Sequence, residues 1–489
     1  MKLRALVRAG QPTSCDGRFV LTPDAWRGMV EELPHCRARL CGLWSDGAQV
    51  HALFLDGTGP LIASVEVDGG RYHALSPARA GAQAHERMIH DLWGVEAMGA
   101  TGTAPWLDQG QWGVTWPLRE RPPPAPPPPE GVEFDDGSAM ERAGGIMLGY
   151  GPAEGGFHAP LHLRLGVPGE RIMQVHTRMG YAHRGLCARM RGNTLAGAAG
   201  LVARIDATAT VAHQLALARA VAAAGGAADW LARSAIFPAE LERVATHLDM
   251  LGQMADLLAD GRFATLAATL LERVRQACHA LYGHRLLFDV FSPPDAHAAR
   301  VPAAGMMDDL HAGCLALKRL FWRPRGLATQ LLGRGVLTTD VARHWGIAGC
   351  AGRASGIEAD LRRDGPGYAP GWLTPPPRGG GDMTARLATR LHEMGESVAI
   401  LSTADTLPEL PPHPGPDDMT GEGLGLAEGP AGPVWHWVRV KNGRIAAWWC
   451  GDPSLAHIQA LPAILSGAMY EDVDPVLISL GLSAAGADL

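Results

Sequence analysis

Residues 121–130 read RPPPAPPPPE, with seven prolines in the eight positions 122–129. Proline fixes its own φ and lacks a backbone donor, so this run can join neither a helix interior nor a sheet ladder. It predicts a stiff, extended spacer. A proline-rich ligand for a signalling domain is the other use of such a run, but its place between two globular patterns favours a linker. The 489 residues are therefore expected to divide into a domain at 1–120, a linker at 121–135 and a larger domain at 136–489.

The first part mixes strand and helix signals. HALFLDGTGPLIASVEVDGGRYHALSP alternates apolar and polar residues around glycine turns, as a hairpin or meander does, and AQAHERMIHDLWGVEA reads as an amphipathic helix ending near Gly94. The larger part opens with two short strands around Pro168–Gly169. From about 183 to 290 it turns helical, through LVARIDATATVAHQLALARAVAAA, FPAELERVATHLDMLGQMADLL and LAATLLERVRQACHALYG. Pro238 near the start of the second run, with Glu240 and Glu242 in its first turn, suits a helix N-terminus. Residues 365–385 form a Pro/Gly-rich loop, a helix follows at about 383–400, and Asn442–Gly443 predicts a hairpin. The expected fold class is α+β: a small α+β domain, then a helical core flanked by antiparallel strands.

Several function classes lack support. A net charge of −7 offers no electrostatic footprint for nucleic acid. The opening MKLRALVRAG is too short in apolar residues for a secretory signal. The best membrane-span candidate, 207–228, is interrupted by His213, Gln214 and Arg219. The eight cysteines contain no C-x-x-C pair, so free thiols buried as small hydrophobes are favoured over zinc or an iron–sulfur cluster. GEGLGLAEG (421–429) resembles a phosphate cradle only in composition, since it leads into a strand and not a helix.

Polar residues concentrate in three other places. HTRMGYAHRGL (176–186) carries Arg178, His183 and Arg184, and AGRASGIEADLRRD (351–364) carries Arg353 and Asp360; neither has metal-ligand spacing. The third is LVARIDATATVAHQLA (201–216), where Arg204, Asp206 and His213 stand among small apolar residues. In a continuous helix Asp206, Thr210 and His213 would share one face, as a proton relay or a satisfied polar seam. The seam is favoured, and an ion pair from Asp206 to Arg204, Arg184 or Arg178 is the simplest partner.

Five segments in order carry a family resemblance. GPAEGGFHAPLHLRLGVPGERIMQVHTRMGYAHRGL, ELERVATHLDMLG, YGHRLLFDV, CAGRASGIEADLRRD and AEGPAGPVWHWVRVKNG span about 150–480. Together they resemble the large subunit shared by membrane-bound nickel–iron hydrogenases and respiratory complex I. HERMIHDLWGVEAMG resembles the small partner subunit of complex I, fused ahead of the large one as in the formate-hydrogenlyase and hydrogenase-4 type.

The resemblance also exposes departures. Hydrogenases of this type hold nickel and iron with four thiolates, two of them in R-x-C-G-x-C-x-x-x-H. Here Arg204 and His213 remain, with Asp206 and Ala209 at the cysteine positions and Ala207 at the glycine. The second pair lies in D-P-C-x-x-C, matched by DPVLIS, where Asp474 and Pro475 remain and Val476 and Ser479 replace the thiolates. A carboxylate and a hydroxyl are no substitute for four soft ligands. Complex I also lacks these cysteines, and there the resemblance implies a quinone head group held by a histidine and a tyrosine. His158 matches the histidine, Ala207 stands at the tyrosine, and Ala431 replaces a basic residue.

The resemblance implies a cytoplasmic chain, peripheral on the inner membrane, within a complex I-like or hydrogenase-4-like assembly. Its partners would be a small iron–sulfur subunit and membrane-arm subunits. No nickel–iron or iron–sulfur group is expected on this chain, and NAD(H) would be handled by partner subunits. Three roles stay open: an oxidoreductase subunit binding quinone in a pocket of His158, Arg204, Asp206, His213, Asp474 and Ser479; a structural subunit without chemistry; or an assembly factor.

Overall fold

Thr22 begins the first capped helix of the N-terminal half, its hydroxyl accepting from the Ala25 amide and Pro23 preset for the first turn of Pro23–Glu32. The helix Gln83–Trp93 ends where the sequence indicates, at Gly94 with φ of 66°. In the computed structural model, which describes residues 2–126, 137–153, 159–226, 234–291, 305–363, 368–376, 379–403 and 418–489, these helices flank a five-stranded sheet. Its order is Gln11–Pro12, Arg18–Leu21, Pro60–Glu66, Gln49–Leu55, Arg39–Ser45, and only Arg18–Leu21 and Pro60–Glu66 run parallel. The meander expected over 51–77 stops after one hairpin, because Arg71–His73 pairs with Glu96–Met98 instead.

Two smaller antiparallel sheets follow. Ile146–Tyr150, His162–Val167 and Gln174–Arg178 form one, with Pro168–Gly169 in the turn between its last two strands. Gly421–Glu428, Pro433–Lys441 and Arg444–Gly451 form the other, whose hairpin turns at Asn442 and Gly443, both at positive φ. Around them lie the long helices Ile236–Leu257, Gly261–Tyr282 and Met383–Leu401. This mixed α+β architecture is the expected fold class.

The glycine-rich stretch at 421–429 gains a physical role here. The helix Thr210–Ala224 lies flat on the strand Gly421–Glu428. A Cβ on Gly421, Gly423 or Gly425 would fall 2.0, 2.2 or 2.1 Å from the carbonyl oxygens of Ala224, Ala220 and Ala216. Alternate strand residues without side chains thus meet one row of helix residues four apart, backbone to backbone.

The two halves of the chain share one core. Trp44 packs on Trp435 and Trp437 with ring centroids 4.9 and 5.7 Å apart, and Arg18 pairs with Glu422 at 2.7 Å in the buried interior. Among the described residues no helix is long and apolar enough to cross a membrane.

Candidate functional site

The helix anticipated over 201–224 is interrupted. Leu195–Val202 and Thr210–Ala224 are separate helices, and residues 203–209 turn between them. Two side chains compete with the helical ladder there. The Asp206 carboxylate accepts from the Thr208 amide at 2.9 Å and from the Thr208 hydroxyl, while the Thr210 hydroxyl donates to the Asp206 carbonyl at 3.0 Å. Asp206 and His213 therefore do not lie along one continuous helical face, and Thr210 does not bridge their side chains. Glu242, from Ile236–Leu257, closes the new helix start: its two oxygens accept from Val211 and Ala212 at 2.5 and 3.1 Å.

His213 belongs to a different chain of groups. The Trp448 indole N–H donates to His436 Nδ1 at 3.1 Å, and His436 Nε2 lies 3.0 Å from His213 Nδ1. His213 Nε2 faces Asp452 Oδ2 at 3.3 Å, and all four side chains are buried. An indole can only donate, which assigns the protons along the whole chain: His436 carries its proton on Nε2 and passes a hydrogen bond to His213, which donates to Asp452. Burial and the neighbouring His213 hold the His436 pKa well below its ordinary value.

Asp206 and Asp452 interact as buried acids. Burial, and then the Asp452 charge, raise the Asp206 carboxyl, with Thr208 and His213 pulling it back. Burial acts on Asp452 as well, but the His213 hydrogen bond and the contacts to Ser454 hold it below the ordinary carboxylate range. The arrangement is two buried acids pushed apart, Asp206 upward by burial and Asp452 downward by the imidazole it is tied to. No ion pair to Asp206 occurs among the described residues.

Metal ligation can be tested on the same atoms. His213, His436 and Cys450 place ligand atoms within 4.8 Å of one another. Both His436 nitrogens are engaged, Nδ1 by Trp448 and Nε2 by His213, and burial, Cys187 and Asp452 hold the Cys450 thiol well above its usual pKa. Two of the three are engaged in a hydrogen-bonded chain and the third is kept as a thiol, a set poorly suited to a cation. The four hydrogenase thiolate positions fit nickel and iron no better: Asp206 is bound to Thr208, Ala209 and Val476 offer no donor, and the Ser479 hydroxyl is shared between Arg386 at 3.0 Å and the Val476 carbonyl at 2.9 Å.

The remaining candidates disperse. Arg204 is half exposed, paired with Asp289 at 2.7 Å and stacked over Phe288. Asp474 accepts from the Tyr150 hydroxyl at 2.6 Å. His158 lies outside the described residues. Arg178 donates to Gln109; His183 and Arg184 bond backbone carbonyls of Asp488 and of Arg204, Ile205 and Ala485. Arg353 and Asp360 sit in a separate buried network, in which Arg353 reaches Glu393 at 2.7 Å and Glu428 at 2.8 Å, and Arg362 links Asp360 to Glu240. Its edge touches the second thiolate segment: Glu393 contacts His247, His247 contacts Arg390, and Arg390 donates to the Ser479 carbonyl. His457 stands between the two polar centres, its pKa lowered to about 4 by burial and by Arg390 and Arg386, against the pull of Asp452.

Cavity size bears on ligands. Ala207, at the tyrosine position of the resemblance, lines a cavity of about 40 Å3 with Thr208, Glu242 and Thr246, room for a few waters.

Comparison with known proteins shows what the chain is similar to. A family model described as the 49 kDa subunit of respiratory-chain NADH dehydrogenase matches residues 298–418. A D-type NADH-quinone oxidoreductase subunit of Chloroherpeton thalassium is 25% identical, the match covering 73% of this chain and 90% of that protein. The similarity is to subunits of the 49 kDa, or D, type. The corresponding D-type protein of Salinispora tropica is 28% identical over 70% of this chain and 93% of its own length. The fused C/D-type protein of Ectopseudomonas mendocina is 24% identical over 83% of this chain and 78% of its own. In fold, a chain of the membrane-bound sulfane sulfur reductase, an archaeal respiratory membrane complex, superposes with a TM-score of 0.62 at 20% identity, covering 71% of this chain and 98% of that one.

Sequence reasoning missed the parts played by Asp452, His436, Trp448, Glu242 and His457. Asp452 and His436 are more than 220 positions from His213. The only local signal was the strand pattern WHWV, which alternates an imidazole with indoles.

Proposed function

We propose that the chain is a structural 49 kDa-type subunit of a membrane-associated, complex I-like electron-transfer assembly, without nickel–iron chemistry of its own. The observation that carries this reading is the internal satisfaction of the thiolate positions. Asp206 and Ser479 are committed to Thr208 and to Arg386, and Ala209 and Val476 have nothing to offer a metal. In this role the chain joins an iron–sulfur subunit to membrane-arm subunits on the cytoplasmic face of the inner membrane, and NAD(H) is handled elsewhere in the complex. The match to a fused C/D-type relative across most of the chain is in keeping with a fused small/large organisation.

A second reading has one observation in its favour. Asp206, whose carboxyl is raised by burial and stands beside the Asp452–His213 pair, is an acid of the kind that could supply the protons quinone reduction consumes. The small cavity at Ala207 argues against seating a head group there.

The deciding experiment replaces Asp206 with Asn and His213 with Gln in the assembled complex and follows electron transfer. Unchanged turnover with intact assembly supports the structural role. Loss of turnover with intact assembly overturns it in favour of quinone binding.

A further inference from the structure

A cleft of about 630 Å3 opens between stretches from the two halves of the chain. Residues 36–40 and Arg79 form one wall; the end of the helix Thr339–Trp345 and residues 356–358 form the other. The walls meet through backbone. A Cβ on Gly81 would lie 3.1 Å from the Trp345 carbonyl oxygen, and one on Gly346, at φ of 72°, would lie 3.0 Å from that of Leu40. These contacts bring the two halves together at the floor while leaving the space above open.

The lining is strongly cationic for a chain of net charge −7. Arg37, Arg39, Arg79 and Arg343 face it, with Glu358 as the one carboxylate among the lining residues. Arg79 is positioned by the Cys36 carbonyl at 2.7 Å, a partner that orients the guanidinium without neutralising it. Arg37 and Arg39 have no ion pair among the described residues. Arg343 meets Asp340 at 3.6 Å with both side chains mostly in water, a contact of little strength. Three or more unneutralised guanidinium groups line one cleft, and the planar fork of each suits a pair of phosphate oxygens. The half-buried Trp345 indole, with His344 edge-on at 5.1 Å, adds a ring surface at the same wall. The volume lies in the range of small-molecule sites.

We propose that this cleft binds a phosphate-bearing small molecule of nucleotide size, its phosphates on Arg37, Arg39 and Arg79 and its ring against Trp345. The inference is independent of the role argued above for the buried cluster. Inorganic phosphates share the anionic chemistry, so the test separates the two. Titration calorimetry on the full chain compares ADP, pyrophosphate and adenosine at low and high KCl. The expected result is binding of ADP that weakens at least tenfold as salt rises, weaker binding of pyrophosphate, and none of adenosine. Arg37→Glu with Arg343→Glu should weaken ADP at least tenfold at unchanged melting temperature, since both side chains are exposed. Arg39→Gln is the second variant and should act in the same direction. Equal affinity for ADP and pyrophosphate would overturn the ring contact and leave an inorganic-phosphate site. Absence of heat with either anion, undiminished ADP affinity in both variants, or binding of an acidic peptide in place of ADP would overturn the proposal.

Discussion

His213 Nδ1 lies 3.0 Å from His436 Nε2, and the proton between them is assigned by an indole one step further along the chain. Both imidazoles should therefore be neutral Nε2–H tautomers. Burial depresses the His436 pKa, so the stability tied to its neutral form is present above about 6.5 and is lost as pH falls toward its folded value. Nitrogen-15 spectra of the imidazoles should show His436 unchanged from pH 6 to 9. Titration of that ring within this interval would contradict the assignment. Cobalt(II) should produce no thiolate charge-transfer band in the native protein, whereas Trp448→Phe, which releases the Nδ1 acceptor, should permit one.

Asp206 and Asp452 should respond oppositely to neutralisation. Asp206→Asn keeps acceptors for the Thr208 amide and hydroxyl while removing a buried acid whose pKa is raised. The stability linked to that raised pKa is complete below about pH 4 and is lost as pH rises through the folded value. The variant should change stability by less than about 1 kcal/mol at pH 6 and gain relative to the native protein as pH increases. Asp452→Ala strands the His213 N–H and the Ser454 amide and should cost about 2–4 kcal/mol. Urea denaturation at pH 6 and 8.5 measures both.

What the sequence reveals and what it hides divide along physical lines. Hairpins and capped helices are legible because their signals are local: Asn442–Gly443 carries its own turn chemistry, and Gly94 and Gly283 end helices whose apolar periodicity is clear. The break at 203–209 is not, because alanine is equally at home on both sides of it and the interruption comes from Asp206 and Thr210 capturing backbone groups. The missing thiolates can be read from position alone. Their replacement by a cluster with Asp452 and His436 cannot, since it depends on a strand more than 220 residues away. The glycines at 421, 423 and 425 become meaningful only once the alanine-rich helix lies on them.

Arg353 should tolerate substitution least of the charged residues. It satisfies Glu393 and Glu428 together and reaches Asp360, all in the interior. Removing one partner of such a network leaves buried charge uncompensated, and Arg353→Met should cost about 3–5 kcal/mol. Arg353→Lys should recover only part of this, because a single ammonium has no planar fork to span two carboxylates. Burial opposes ionisation of Glu393, but Arg353 and the His247 hydrogen bond hold its pKa well below the usual carboxylate value. Its contribution is present above about pH 4.5 and disappears as acid drives the pH through the folded value. Referenced to equal starting stability, acid unfolding of the native protein should begin at higher pH than that of Glu393→Gln, which has no carboxylate to protonate. Circular dichroism along a pH titration measures both onsets.

Glu242 supplies the helix cap that the chain around Thr210 lacks. Ala209, at the cap position, has no side-chain acceptor, and the carboxylate arriving from Ile236–Leu257 takes both the Val211 and Ala212 amides. Glu242→Ala leaves two buried donors unpaired and should lower stability by about 2–4 kcal/mol, with loss of amide-exchange protection concentrated at 210–214. Burial pushes the Glu242 carboxyl up to about 8, against the two amides that favour its charged form. Stability linked to this group is therefore complete below about pH 4.5 and declines as pH rises through 8. Glu242→Gln keeps one acceptor and cannot ionise, so it should cost about 1–2 kcal/mol at pH 6 and narrow its deficit by pH 9. A deficit that stays constant over that interval would show instead that the helix N-terminus holds Glu242 ionised throughout.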